Sequence, residues 1–223
     1  MTKITKDEVA SFKYSGEPVK FSLGTLVMVA FCIFLIIIST FTQLPIIDVF
    51  NLNKGTDSTG LLLSDYLSNS SIYSYIPQLP AIFFTVALLD RRYGLTAIIL
   101  YILLGLFVIP VFGMGGGFHY IYEYGFGFII AYIPAAFLTA TIIKHNFHIL
   151  NILKAVIAGV FAIHLIGVVY MLFISTLFHT TGDIITGWIS SQSGAKIFYD
   201  IIFSTIAIYI ANLLKQLLWL IIC

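Results

Sequence analysis

Long apolar runs separated by short charged clusters set the pattern of this chain. Stretches without charge run from Phe21 to Ile47, Tyr66 to Leu89, Tyr93 to Tyr122, Tyr124 to Ile143 and Ala155 to Gly182, and a sixth from Ile201 to Leu214 extends upstream past Asp200. A bilayer core needs about 20 apolar residues in helical form, so the pattern predicts six transmembrane helices. The first run is too long for a signal-peptide core and lacks a small-residue cleavage site, which keeps it in the mature protein as helix one. Helix two is odd. Pro77 and Pro80 mark its first turn and Asp90-Arg91-Arg92 closes it, leaving about 14 residues and a rise of roughly 20 Å. That is too short to span. Its N-terminus, with Gln78, should therefore begin below the membrane surface, where non-helical backbone has to line a protected or watery cavity.

Composition sharpens this picture. Of 223 residues 60% are hydrophobic and 9% charged, with a mean hydropathy of +1.03, which excludes a water-soluble globular domain. The net charge of +1 predicts no nucleic-acid partner. Cys32 and Cys223 cannot build a disulfide framework. The Asn69-Ser70-Ser71 sequon would matter only in a secretory pathway, which nothing else supports. What counts is where the cations sit. With both termini cytoplasmic, nine of the eleven (Lys3, Lys6, Lys13, Lys20, Arg91, Arg92, Lys144, Lys154 and Lys215) fall in alternate connections on one side, and only Lys54 and Lys196 face out. The expectation is an all-α integral membrane protein of the cell (inner or plasma) membrane, a six-helix bundle with N-in/C-in topology in the lipid bilayer. Residues 1–20 form a cytoplasmic segment and residues 21–223 the membrane domain, in which residues 48–75 are a long outer loop.

Helical rise then gives the depth of the polar residues. Asp200 lies fifteen residues before Lys215, about 22 Å up the last helix, where a carboxylate is expensive and usually faces a bundle interior or a water-filled pocket. Glu123 and the turn Gly113-Met114-Gly115-Gly116-Gly117 reach a similar level by the same arithmetic. Gln78, Gly115, Gly116, Gly117, Glu123 and Asp200 thus converge as an outward-opening small-ligand pocket would require, flanked by Tyr120, Tyr122 and Tyr199. The plainer readings stand beside it: Asp200 could cap or bridge helices, and the glycines could be a mobile turn. The remaining aromatics read as mostly lipid-facing. His164, about 15 Å from Lys154, reads as a hydrogen-bonded packing residue or, alternatively, a proton relay. Gly127, Ala131, Ala135 and Thr139 recur every four positions, which suits close packing inside the bundle or a docking face for a second membrane protein. No HExxH, GxSxG or paired Cys/His spacing is present, so no catalytic residue, metal or cofactor is expected.

From Pro77 onward the residues resemble BioY, the family of biotin-binding membrane subunits of energy-coupling-factor (ECF) vitamin transporters. Gln78 followed by Asp90-Arg91-Arg92-Tyr93-Gly94 is similar to the family's Q…LGPRxG segment, with Asp90-Arg91 in place of Gly-Pro. Tyr101-Ile-Leu-Leu-Gly105 and Ile109-Pro110-Val111-Phe112-Gly113 look like its YLLLG…LPVF signature, leading into the same glycine-rich loop. Gly127-Phe128 and Ala135-Ala136 resemble parts of the GGY…AA helix, and Asp200 the aspartate of the D-x-x-K motif. Three positions depart from that pattern: Phe203 stands for the lysine, Ile129 for an arginine and Gly116 for an asparagine of the glycine loop. Helix one lacks a clean Ala-x-x-x-Ala pattern, the element by which such subunits dock on their coupling partner. The resemblance implies a subunit that captures biotin outside and delivers it to the cytoplasm, with ECF transmembrane and ATPase subunits as partners because this chain carries no nucleotide-binding motif. In that setting an ionised Asp200 would accept from the ureido ring of biotin, and Gln78 could serve that ring as donor or acceptor. Lys196, one helical turn above Asp200, would neutralise the tail carboxylate together with N–H groups of the glycine loop. A carrier for a different vitamin-like molecule is the alternative; an intramembrane enzyme or a structural membrane subunit is further off, since Glu123 and His164 are the only candidates for a second catalytic group.

Overall fold

A computed structural model describes residues 22–47, 72–143, 147–179, 182–194 and 196–222. The N-terminal segment, most of the connection after helix one (with Lys54 and the Asn69 sequon), Lys144 and Cys223 lie outside the described residues.

Helix α1, Leu23–Phe41, starts where Ser22 Oγ accepts from Thr25 N–H at 3.2 Å. It stops at Phe41, six residues short of the end of its apolar run. Pro45 disfavours helical backbone just before it, and the β-branched pair Ile46-Ile47 suits an extended chain. Strand β1, Leu44–Ile47, accordingly pairs antiparallel with β2, Ile72–Tyr75, placing Leu44 opposite Tyr75. The end of the expected outer loop is thus a strand, and it delivers Tyr75 into the core, where it is 0% exposed.

Helix α2, Gln78–Phe107, is two helical arms joined at Asp90. Asp90 has φ 61° and ψ 173°, a conformation that suits glycine and costs other residues about 1–3 kcal/mol. Its carboxylate lies 2.5 Å from Lys215 Nζ, which ties the turn to the last helix. Past the turn the chain doubles back so closely that a Cβ on Gly94 would stand 2.8 Å from the Val86 Cα. The short helix two expected from the proline and charge spacing is therefore the first arm of a tight helical hairpin.

After α2 come a 3-10 helix, Phe118–Tyr122, then α3, Phe126–Ile130, and α4, Tyr132–Ile143, with Ala131 alone between them. Helix α5, Ile149–Phe178, ends on His179 in the left-handed region at φ 52°. The connection beyond it contains a helix that hydropathy did not announce, α6, Gly182–Ser193, before α7, Lys196–Ile222. Among the described residues, four segments are long and apolar enough to cross a membrane: Leu23–Phe41, Phe126–Ile143, Ile149–Phe178 and Lys196–Leu217. Helix α2 packs against α1, α4 and α7, and α5 packs against α3, α4 and α7.

The small-residue stripe serves packing within the bundle. Ala131, Ala135 and Thr139 are 0% exposed, a Cβ on Gly127 would strike the Tyr170 side chain, and Thr139 Oγ1 donates to the Ala155 carbonyl at 3.2 Å. Outward faces stay apolar, as at Phe34, Phe161 and Val169, which suits a lipid surround.

Candidate ligand-binding site

The first arm of α2 begins inside the protein, and this creates the site. A cavity of about 170 Å³ lies among the C-terminal end of α1, the start of α2, the turn after α2, the α3–α4 break, mid-α5 and the α6–α7 corner. Its walls include Thr40, Gln78, Tyr120, Tyr132, His164 and Lys196, closed by Phe128, Ile129 and Trp188.

Gln78 is fixed by three neighbours. Its Nε2 donates to Thr40 Oγ1 at 3.0 Å and to the Tyr101 hydroxyl at 2.9 Å, and its Oε1 accepts from the Tyr132 hydroxyl at 2.7 Å. The amide orientation follows from Thr40, whose own hydroxyl is spent on the Ile36 carbonyl at 2.9 Å and must therefore accept. Both amide hydrogens are used, whereas a carbonyl oxygen keeps a second lone pair. Gln78 thus offers a ligand an acceptor alone, which corrects the sequence expectation that it could serve as either partner.

Asp200 is fully buried and lies behind the His164 side of the cavity wall. Its Oδ1 accepts from the Tyr75 hydroxyl at 2.7 Å, while Oδ2 has no hydrogen bond and lies 3.7 Å from His164 Nε2, itself unbonded. That separation is too long for a hydrogen bond. The other ring nitrogen of His164 sits 2.8 Å from Ser193 Oγ at the end of α6. The imidazole therefore separates the cavity from the carboxylate, and Ser204 Oγ, one turn along α7, is a further buried polar atom without a partner. Buried polar atoms are usually paired, so three orphans in one region mark a place where a polar group can be accepted.

The remaining sequence candidates divide. Tyr120 and Lys196 are on the cavity wall, with Lys196 Nζ 3.3 Å from Gln192 Oε1. Burial raises the Tyr120 phenol above its ordinary pKa, so it is a neutral hydroxyl near pH 7. Tyr122 is 57% exposed, Glu123 caps the 3-10 helix, and neither lines the cavity. Tyr199 packs at 6.1 Å from Tyr75 and 6.4 Å from Phe203, in the aromatic cover of Asp200. The glycines shape the turn. Gly115 and Gly117 have positive φ, a Cβ on Gly116 would fall 2.5 Å from the Pro110 Cα, and Gly113 reaches the cavity. The Gly115 and Gly117 N–H groups bond to the Phe112 and Gly105 carbonyls, so these two donors are already spent.

Tyr75, at the end of the expected outer loop, and Tyr101 and Tyr132, among aromatics expected to be mostly lipid-facing and interfacial, are 0%, 0% and 3% exposed; they are core residues whose hydroxyls hold Asp200 and Gln78. A signal existed, since a phenol inside an apolar helix needs a partner when buried. Trp188, Gln192 and Ser193 lie on α6, a helix that hydropathy does not announce.

The family model named BioY family matches residues 71–219, well over half of the chain. The chain belongs to the BioY family. A crystal structure described as the S-component for biotin from an ECF-type ABC transporter shares its fold, with a TM-score of 0.60 at 21% sequence identity over 96% of this chain and 95% of that one. No curated protein matches the chain. At two of the positions where this BioY chain departs from the pattern noted in its sequence the residue is apolar: Ile129 is buried against the cavity, and Phe203 makes a tilted ring contact with Tyr75 at 5.2 Å. Lys196 is the cation that remains on the wall.

Proposed function

We propose that the chain is a membrane biotin-uptake protein, the substrate-binding subunit that captures biotin at the outer face and delivers it to the cytoplasm. The observation that carries this reading is the acceptor-only Gln78 on the wall of a cavity lined by aromatic rings, with the half-satisfied Asp200 behind the His164 ring of the same wall. Biotin brings two ureido N–H donors, an apolar thiophane ring and a carboxylated tail. Two acceptors match the two donors, the rings suit the thiophane, and Lys196 suits the tail. Entry to Asp200 requires the His164 ring to turn aside or to relay the contact through its own nitrogen.

The same reading takes the two arms of α2 as the second and third crossings. With α1, the α3–α4 segment, α5 and α7 they make six, N-in/C-in, in the plasma membrane. The bundle-end position of Arg91, Arg92 and Lys215, opposite the cavity, supports that orientation. ATP hydrolysis falls to ECF transmembrane and ATPase partners, and the ligand leaves chemically unchanged.

Equilibrium binding of labelled biotin to the purified chain tests the proposal. Saturable binding that Asp200→Asn weakens is the expected result; no saturable binding up to micromolar biotin refutes it in favour of another vitamin-like ligand.

A further inference from the structure

A second, larger cavity of about 580 Å³ opens beside the turn at Asp90, about 18 Å along the first arm of α2 from Gln78. Its lining combines the cations Arg91, Arg92 and Lys215 with the apolar Val86, Ala140 and Phe147. Among the described residues of its lining, three cations stand with one carboxylate, Asp90. The Arg91 guanidinium lies 5.3 Å over the Phe137 ring, and that ring is 46% exposed on the outward face of α4. In a membrane-spanning chain such a face meets acyl chains, so the cationic row runs from the vestibule to the lipid boundary. Positive pockets between helices at this level recognise anionic headgroups. Apolar lining beside a cation that reaches the outward-facing Phe137 ring selects an amphiphile over a free anion.

The backbone supplies a second observation. Asp90 keeps a side chain in a conformation that suits glycine, and its carboxylate holds Lys215 at 2.5 Å, with the two side chains 72% and 37% exposed. An arriving anion can reach that pair through water and displace the carboxylate.

We infer that this cavity binds the phosphate headgroup of an acidic phospholipid through Arg92 and Lys215, with Asp90 as the internal competitor for Lys215. Nothing in this depends on which ligand occupies the other cavity. The test uses the full chain in detergent, titrated with phosphatidylglycerol, phosphatidylcholine and soluble glycerol phosphate. Bound lipid is read by native mass spectrometry and by melting temperature. Phosphatidylglycerol should bind about fivefold or more tightly than phosphatidylcholine, and glycerol phosphate should not compete at equal concentration. Arg92→Gln with Lys215→Gln should abolish the preference. Asp90→Gly, which suits the backbone and removes the competitor, should raise phosphatidylglycerol affinity severalfold, and it keeps the idea testable if the double variant misfolds. Equal binding of both lipids, a preference that survives the double variant, or lower affinity in Asp90→Gly overturns the proposal. Competition by glycerol phosphate at equal concentration overturns the lipid assignment in favour of a free-anion site.

Discussion

Replacing Gln78 by leucine removes three side-chain hydrogen bonds, to Thr40, Tyr101 and Tyr132, at 3.0, 2.9 and 2.7 Å. The consequences differ among the partners. Thr40 keeps its bond to the Ile36 carbonyl, and Tyr101 keeps Thr40 at 3.4 Å. The Tyr132 hydroxyl, on a ring 3% exposed, loses the bond that satisfied it. Two net hydrogen bonds at about 1 kcal/mol each, plus one stranded hydroxyl at about 2 kcal/mol, give a destabilisation of about 4 kcal/mol. By the scaling of domains of this size, the melting temperature should fall on the order of 10 °C. Biotin affinity should fall about three- to tenfold, the worth of one neutral acceptor. Gln78→Leu combined with Tyr132→Phe removes the stranded hydroxyl as well. That double variant should recover about half of the lost stability and none of the lost affinity, because the acceptor is still missing. Thermal melting in detergent and labelled-biotin binding on all four proteins of the cycle decide the matter. A double variant no more stable than Gln78→Leu, or one that binds biotin normally, would refute the assignment of Gln78 as both network centre and ligand acceptor.

Asp200→Asn should keep the fold, since a neutral isostere is easier to bury and can still accept from Tyr75. Biotin binding should weaken by about 1.5–3 kcal/mol, and unchanged affinity removes Asp200 from the site. Lys196→Gln should weaken binding of biotin by about fivefold and reduce its salt sensitivity, while leaving the uncharged biotin amide unaffected; equal effects on both ligands would disprove the carboxylate contact. Gly94→Ala should destabilise the hairpin strongly, because its Cβ would stand 2.8 Å from the Val86 backbone, and a melting temperature equal to wild type would contradict that packing.

Much of the architecture was legible in the chain because a bilayer imposes one-dimensional rules. Every backbone polar group must be satisfied within its own helix, so apolar runs and charge clusters locate the helices almost independently of one another. The proline pair at Pro77 and Pro80 and the charges at Asp90-Arg91-Arg92 announced a short helix two, and the structure builds it from Gln78 to the turn at Asp90. Counting rise put Gln78 near the level of Asp200 and Lys196 one helical turn above it, and Gln78 and Lys196 both stand on the wall of one cavity. Counting rise says nothing about rotation. Which face of a helix looks inward depends on neighbours that periodicity cannot name when every face is apolar. That is why the buried faces of Tyr101 and Tyr132 do not show in the sequence, and why His164 was not placed between Asp200 and the cavity. The strand pair after α1 and helix α6 were likewise hidden, because each lies in a short segment whose form is set by what it packs on. Depth along the membrane was written in the chain, whereas orientation around each helix, and with it the direction of every hydrogen bond at Gln78, was decided only when the helices met.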